Sequence, residues 1–204
     1  MGKDSASAYC DNVSVIDTDL RRRILSKKYS RTVQYQPADT FAQYADIADG
    51  LDPLSAAQYW DVKTYLAGDI LTKVDRASMR HSLEVRVPFL DHEFVEWMAT
   101  IPPRSKLKNG EGKVALKSAM RNRLPDEILY RRKQGFSTPL DAWFRGPLRH
   151  NIEDIVKSRR LLDLGVTDQK YIAQLGREHL SRTRNAGEAL WSLAVLDASL
   201  KTLF

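Results

Sequence analysis

At 204 residues, 43% hydrophobic and 28% charged, the chain has the size of one domain or two small ones and can bury roughly 70% of its unfolded surface. No window approaches the roughly 18 to 20 apolar residues of a membrane span, and the single cysteine, Cys10, excludes an internal disulfide. The net charge of +6 lies in short groups, Arg21-Arg22-Arg23, Lys27-Lys28, Arg131-Arg132-Lys133 and Arg159-Arg160, without the interleaved aromatics of single-strand binding platforms, so nucleic acid is not the expected partner.

The opening stretch MGKDSASAYCDNVSV has no apolar run behind its early lysine, which argues against a secretory signal. Together with the lone cysteine this predicts a cytoplasmic protein. Cys10 is expected as a small, partly buried side chain, since nothing near it in sequence would lower its pKa. Residues 1 to 50 carry little pattern and are expected to pack on a helical core of residues 51 to 150, with residues 151 to 204 completing the same domain.

From Leu54 to about Arg80, the apolar residues Tyr59, Val62, Leu66, Ile70, Val74 and Ala77 recur at steps of three and four and predict one helix face, locally weakened at Gly68. Asp69, Lys73, Arg76 and Arg80 share a second face, while Asp75 projects about 120° from Asp69 at ~100° per residue. Pro88 disfavours helix at Val87, so EVRVPFLD reads as a non-helical passage in which Glu84 and Arg86 flank Val85 just before an apolar turn. Charges carried toward a core must be paired, which predicts a mutually satisfied Glu84–Arg86 pair there.

Asp91 is a good N-cap for a helix through Met98, stopped by Pro102-Pro103. Residues 106 to 112 read as a loop, Lys113 to Met120 as a short helix, and Pro125 starts another that ends near Tyr130. Further on, Thr167 with Asp168 predicts a cap for a helix carrying Tyr171, Ile172, Leu175 and Leu180. Asn185 with Glu188 resembles a capping box before a last helix, whose stripe is Ala189, Leu193, Leu196, Leu200 and Leu203. The expected fold class is therefore mainly α.

Self-contained active sites are missing. Gly110-Glu111-Gly112-Lys113 is not a P-loop, no Cys-x-x-Cys or zinc histidine pair occurs, and no Gly-x-Ser-x-Gly elbow is present. His81, His92, His150 and His179 are scattered and read as surface or hydrogen-bonding residues, so no metal site is expected.

Two segments remain, GDILTKVDRASMRHSLEVRVPFLDHEF and LPDEILYRRKQGFSTPLDAWF, separated by LKNGEGKVALKSAM. In order, they resemble the C-terminal part of the synthetase domain of glutamine-hydrolysing asparagine synthetases, across about residues 52 to 146. The resemblance implies a helical portion of an adenine nucleotide α-hydrolase-like domain without its complete nucleotide-binding sheet. It also implies an ATP-dependent amidoligase, in which a carboxylate, typically that of aspartate, is adenylated and then takes ammonia released from glutamine.

Such chemistry gathers negative charge on phosphorus and pyrophosphate, and fixed cations with Mg2+ are what it needs. By that resemblance Lys133 falls on the catalytic lysine and Asp69 or Asp75 on the functional aspartate. Gly135 would permit an unusual loop beside Lys133, and Lys73, Arg76, Glu84 and Arg86 would line the wall of the nucleotide and substrate site. The family's Ser-Gly-Gly-x-Asp-Ser phosphate loop, its Gly-Asp-Glu-type acidic segment and its glutaminase cysteine are not in this sequence, which has no two adjacent glycines. The expected partners are thus an upstream phosphate-loop segment and a glutaminase domain, or a subunit supplying them. The isolated chain, read as a recombinant piece, a split subunit or a relic, is expected to be inactive and to hold neither ATP nor Mg2+ tightly. The alternative is a non-catalytic helical scaffold or regulatory module that kept the family's packing.

Overall fold

In a computed structural model, residues 5–132 and 138–203 are described, and they are helical almost throughout. The helices in chain order are α1 (Ser5–Val13), α2 (Thr18–Ile24), α3 (Lys27–Thr32), α4 (Pro37–Ala42), α5 (Ala45–Ala48), α6 (Pro53–Asp61), α7 (Thr72–Met79), α8 (His92–Thr100) and α9 (Pro103–Lys106). They continue with α10 (Val114–Met120), α11 (Asp126–Leu129), α12 (Leu140–Arg145), α13 (Arg149–Val156), α14 (Arg159–Asp163), α15 (Gln169–Leu180) and α16 (Gly187–Leu203). Among the described residues the sheet is one antiparallel pair, β1 (Leu107–Lys108) with β2 (Glu111–Gly112). The mainly α expectation therefore holds.

The chain divides into two compact units, one of residues 1–37 with 136–204 and one of residues 38–135. The first holds the core. Leu20 and Ile24 of α2 meet Phe144 of α12, Ile152 and Ile155 of α13, Leu161 of α14, Ile172 and Leu175 of α15, and Leu190 and Leu193 of α16. Each fully buried side chain of this kind stabilises the fold by about 1.5–3 kcal/mol relative to exposure. Cys10 is buried here too, its Sγ 3.7 Å from the Ser14 hydroxyl.

Caps and backbone ties fix these helices. Asp168 caps α15, as its sequence position predicts, by accepting from the Tyr171 N–H at 3.1 Å. The chain entering α15 is bound to the end of α2: Asp168 donates its N–H to the Ile24 carbonyl at 2.7 Å, and Leu25 bridges Thr167. The last helix departs from expectation. Asn185 does not cap it, because its Oδ1 accepts from Arg145 at 2.6 Å, and the carboxylate serving the Gly187 N–H is Asp141 of α12, at 2.9 Å. The predicted stripe is buried in part: Ala189 and Leu193 lie in the core and Leu200 packs against it, whereas Leu196 and Leu203 are exposed.

The second unit has little core, with Phe41, Ala48, Ala56 and Trp60 as its buried apolar residues among those described. The helix predicted from 54 to 80 is present, but its middle, Val62–Leu71, is a π-helix joining α6 to α7. The Thr72 hydroxyl reaches back five residues to the Ala67 carbonyl at 3.0 Å, in keeping with the wider π spacing. Val62 and Val74 of the predicted apolar face are exposed. Asp91 caps α8 as expected, accepting from the Phe94 N–H at 3.2 Å. The stretch read as a loop at 106 to 112 forms the hairpin instead. Asn109 and Gly110 take φ of 53° and 78°, the positive values a tight two-residue turn needs.

Candidate active-site residues

Each predicted site residue that lies among those described belongs to the second unit. Asp69 sits near the end of the π-helix, and Lys73 lies one turn on in α7. Their side chains meet at 2.8 Å, both substantially exposed. The bond to Asp69 raises the Lys73 pKa. Asp75 and Arg76, also on α7, form no ion pair among the described residues.

Glu84 and Arg86 lie in the passage between α7 and a 3-10 turn at Pro88–Leu90, and they pair with each other. The Arg86 Nε donates to Glu84 Oε1 at 2.8 Å and a terminal guanidinium nitrogen stands 2.7 Å away. The pairing is as expected; its setting is not. The turn does not enter a core, since Val85, Val87 and Phe89 are all exposed. Lys133 and Gly135 lie outside the described residues. Among the described residues, four of the predicted ones form two local pairs, Asp69–Lys73 and Glu84–Arg86.

Sequence reading missed a second group of charges. Lys117 of α10 reaches Glu111 of β2 at 2.6 Å and holds its ammonium 5.1 Å from the centre of the Tyr130 ring. Proximity of the Tyr130 side chain raises the Arg121 pKa. These contacts hold Tyr130, the residue immediately before the basic run Arg131-Arg132-Lys133. The signal for it was the Gly110-x-x-Lys113-x-x-Leu116-Lys117 spacing, which marks a block but not its contacts.

Beside the π-helix an open groove of about 650 Å³ runs between Leu51, Tyr59 and Val62 on one side and Phe89, Phe94 and Met98 on the other. Lys63 and Lys106 also line it, and Lys106 is nearly buried. Phe89, Phe94 and Trp97 form an aromatic row with ring centres 5.7 and 5.9 Å apart. No three His, Cys, Asp or Glu side chains converge as a metal set among the described residues. None of their helices is long and apolar enough to cross a membrane.

The family model for asparagine synthase matches residues 7–203. The chain is 28% identical over 191 residues to glutamine-hydrolysing asparagine synthetase 1 of Bacillus subtilis, covering 92% of this chain and 29% of that protein. It is 41% identical over 102 residues to a putative glutamine-hydrolysing asparagine synthetase of Mycobacterium tuberculosis, covering 50% of this chain and 16% of that protein. It is also 32% identical over 123 residues to the amidase chry2 of Gibberella zeae, covering 57% of this chain and 18% of that protein. The chain therefore spans less than a third of the length of these relatives. No solved structure matches it.

Proposed function

Since the chain belongs to the asparagine synthase family, we propose that it is part of an ATP-dependent amidoligase of asparagine synthetase type, converting a carboxylate, typically that of aspartate, into an amide. The observation that carries this reading is the family match over residues 7–203, inside which the ordered blocks from Asp69 to Phe144 lie. Lys133 is the proposed cation on the reacting phosphate. Asp69 or Asp75 is the proposed functional carboxylate, and Lys73, Arg76, Glu84, Arg86 and Gly135 belong to the wall around it. The cytoplasm is the proposed compartment.

The described residues do not by themselves fit ATP with Mg2+. No carboxylate set converges, and the charges of Asp69, Lys73, Glu84 and Arg86 are already neutralised in exposed local pairs. The phosphate cradle and the metal ligands are proposed to come from an upstream phosphate-loop segment, and ammonia from a glutaminase domain, in the same polypeptide or in a subunit supplying them. What this chain contributes is fixed positive charge and apolar wall. The local pairing of these four residues favours the second reading for them, a scaffold whose charges only hold α7 and the following turn in place.

Two assays separate the readings. The purified chain with aspartate, ATP, Mg2+ and ammonia should yield no asparagine and no pyrophosphate, and turnover by it alone would sink the proposed division of labour. In a complete enzyme carrying this segment, Lys133→Ala should abolish pyrophosphate release while leaving the fold intact. Full turnover by that variant would favour the scaffold.

A further inference from the structure

Lys117 differs from the other ion-paired lysines. Its side chain is 20% exposed, against 66% for Lys73 and 74% for Lys157. Two partners enclose it. Glu111, paired with Lys108 across the hairpin, lies 2.6 Å from the Lys117 Nζ, and the centre of the Tyr130 ring is 5.1 Å from the same ammonium. A cation held over the face of an aromatic ring attracts that ring and restricts its orientation.

Tyr130 is held at its backbone as well. It ends α11, giving its N–H to the Asp126 carbonyl at 2.8 Å, and Arg121, one turn beyond Lys117 at the end of α10, lies close enough to feel the Tyr130 side chain. Cations one helical turn apart repel each other, so gathering both around one tyrosine has a local cost. No core compensates for it, because Tyr130 remains 46% exposed. Local rules broken without a gain in packing mark functional positions. After Tyr130 the chain leaves the helix at Arg131 and Arg132, and Lys133 is the third residue on. Three residues span at most about 11 Å, so whatever fixes Tyr130 bounds the reach of Lys133.

We propose that Lys117 and Tyr130 are positioning residues for the amide-forming reaction, the Glu111–Lys117–Tyr130 relay tying the stem of Lys133 to the hairpin and α10 so that Lys133 is aimed at the reacting phosphate. The role rests on the ligase reading and on the place of Lys133 in it. Lys117 itself does not touch substrate, since its charge is committed to Glu111 and the ring. What it supplies is alignment, and a misplacement of about 1 Å at a reacting group can cost about 100-fold in rate.

Aspartate-dependent exchange of pyrophosphate into ATP, by a complete enzyme carrying this segment, tests the role. Lys117→Met and Tyr130→Leu should each lower kcat by about tenfold or more, with KM for ATP and aspartate within about threefold of the parent and the thermal midpoint unchanged. A misaimed Lys133 weakens the transition state and not the bound substrates. Tyr130→Phe keeps the ring and Lys117→Arg keeps both contacts, so each should retain most of the rate. The decisive comparison is made in the Lys133→Ala enzyme, where Lys117→Met should lower the residual rate no further, because it acts only through the missing ammonium. A further loss there, an unchanged kcat in both Lys117→Met and Tyr130→Leu, or a loss confined to KM would overturn the role and leave the ligase reading standing. Full exchange by Lys133→Ala would instead overturn the assignment of Lys133, and this role with it.

Discussion

His179 is the polar side chain most completely enclosed in the first unit, at 0% exposure, and replacing it with phenylalanine should expose what it does. Its Nδ1 accepts the Ala186 N–H at 3.1 Å, which places the ring proton on Nε2, and that nitrogen donates to the Asp141 carbonyl at 3.2 Å. One neutral imidazole thereby joins α12, α15 and the approach to α16. Phenylalanine keeps most of the volume and the edge contact with Phe144, whose ring centre is 6.5 Å away, but it leaves the Ala186 N–H without its partner and removes one bond from the Asp141 C=O, which α12 still engages. A buried group left unpaired costs about 1–3 kcal/mol, so the change should cost about that much in urea unfolding. The pH dependence gives a second readout. Burial, and then the charge of Arg145, push the His179 pKa below its usual value, with Asp141 acting the other way. The neutral form is the one the fold selects. Its stabilisation is therefore complete above the unfolded value of about 6.5 and is lost as pH falls through the lower folded value. His179→Phe should lack that acid slope. A variant as stable as the wild type, with the same slope, would refute the reasoning.

Three further outcomes follow from the packing. A Cβ at Gly187 would stand 2.6 Å from the Asp141 backbone nitrogen, and one at Gly176 would stand 2.5 Å from a methyl of Ile152. Gly176→Ala should cost about 1–3 kcal/mol in urea unfolding, and Gly187→Ala more, because backbone yields less readily than a side chain. Burial tends to raise the Asp197 pKa, but hydrogen bonds from Arg160 and Ser158 outweigh it and leave it lowered. Asp197→Asn should thus cost about 1–2 kcal/mol at pH 7, an effect fully present above about pH 3.9 and lost as pH falls through the lower folded value, as acid titration of both proteins would show. Lys73→Ala breaks an exposed pair with Asp69 and should leave the urea midpoint unchanged, so a loss of turnover in a complete enzyme would assign Lys73 to the site.

Local chemistry was legible in the sequence, and distant chemistry was not. The caps at Asp91 and Asp168 rest on side chains that serve N–H groups three residues away, and both formed as read. Asn185–Glu188 had the same appearance, yet the carboxylate that serves the last helix is Asp141, 46 residues from Gly187. The π-helix was hidden because its apolar spacing imitates an α-helical stripe, and the wider backbone turn over Val62–Leu71 leaves no mark in that spacing. Likewise, Asp69–Lys73 was readable as a pair one helical turn apart. The Glu84–Arg86 pair was expected beside a core, but alternation of charge and valine marks an edge as readily as an interior, and here Val85 and Val87 are open.

The measurement that tests the central claim most directly is aspartate-dependent exchange of pyrophosphate into ATP by a hybrid enzyme. The matching region of the Bacillus subtilis relative would be replaced by residues 7–203 of this chain, with Lys133 intact or changed to alanine. The account predicts that the hybrid with Lys133 catalyses exchange, and that Lys133→Ala loses it by about 100-fold or more at an unchanged thermal midpoint, as removal of a charge bound to the transition state would. Equal exchange by the two hybrids, or none by a well-folded hybrid with Lys133, would contradict it.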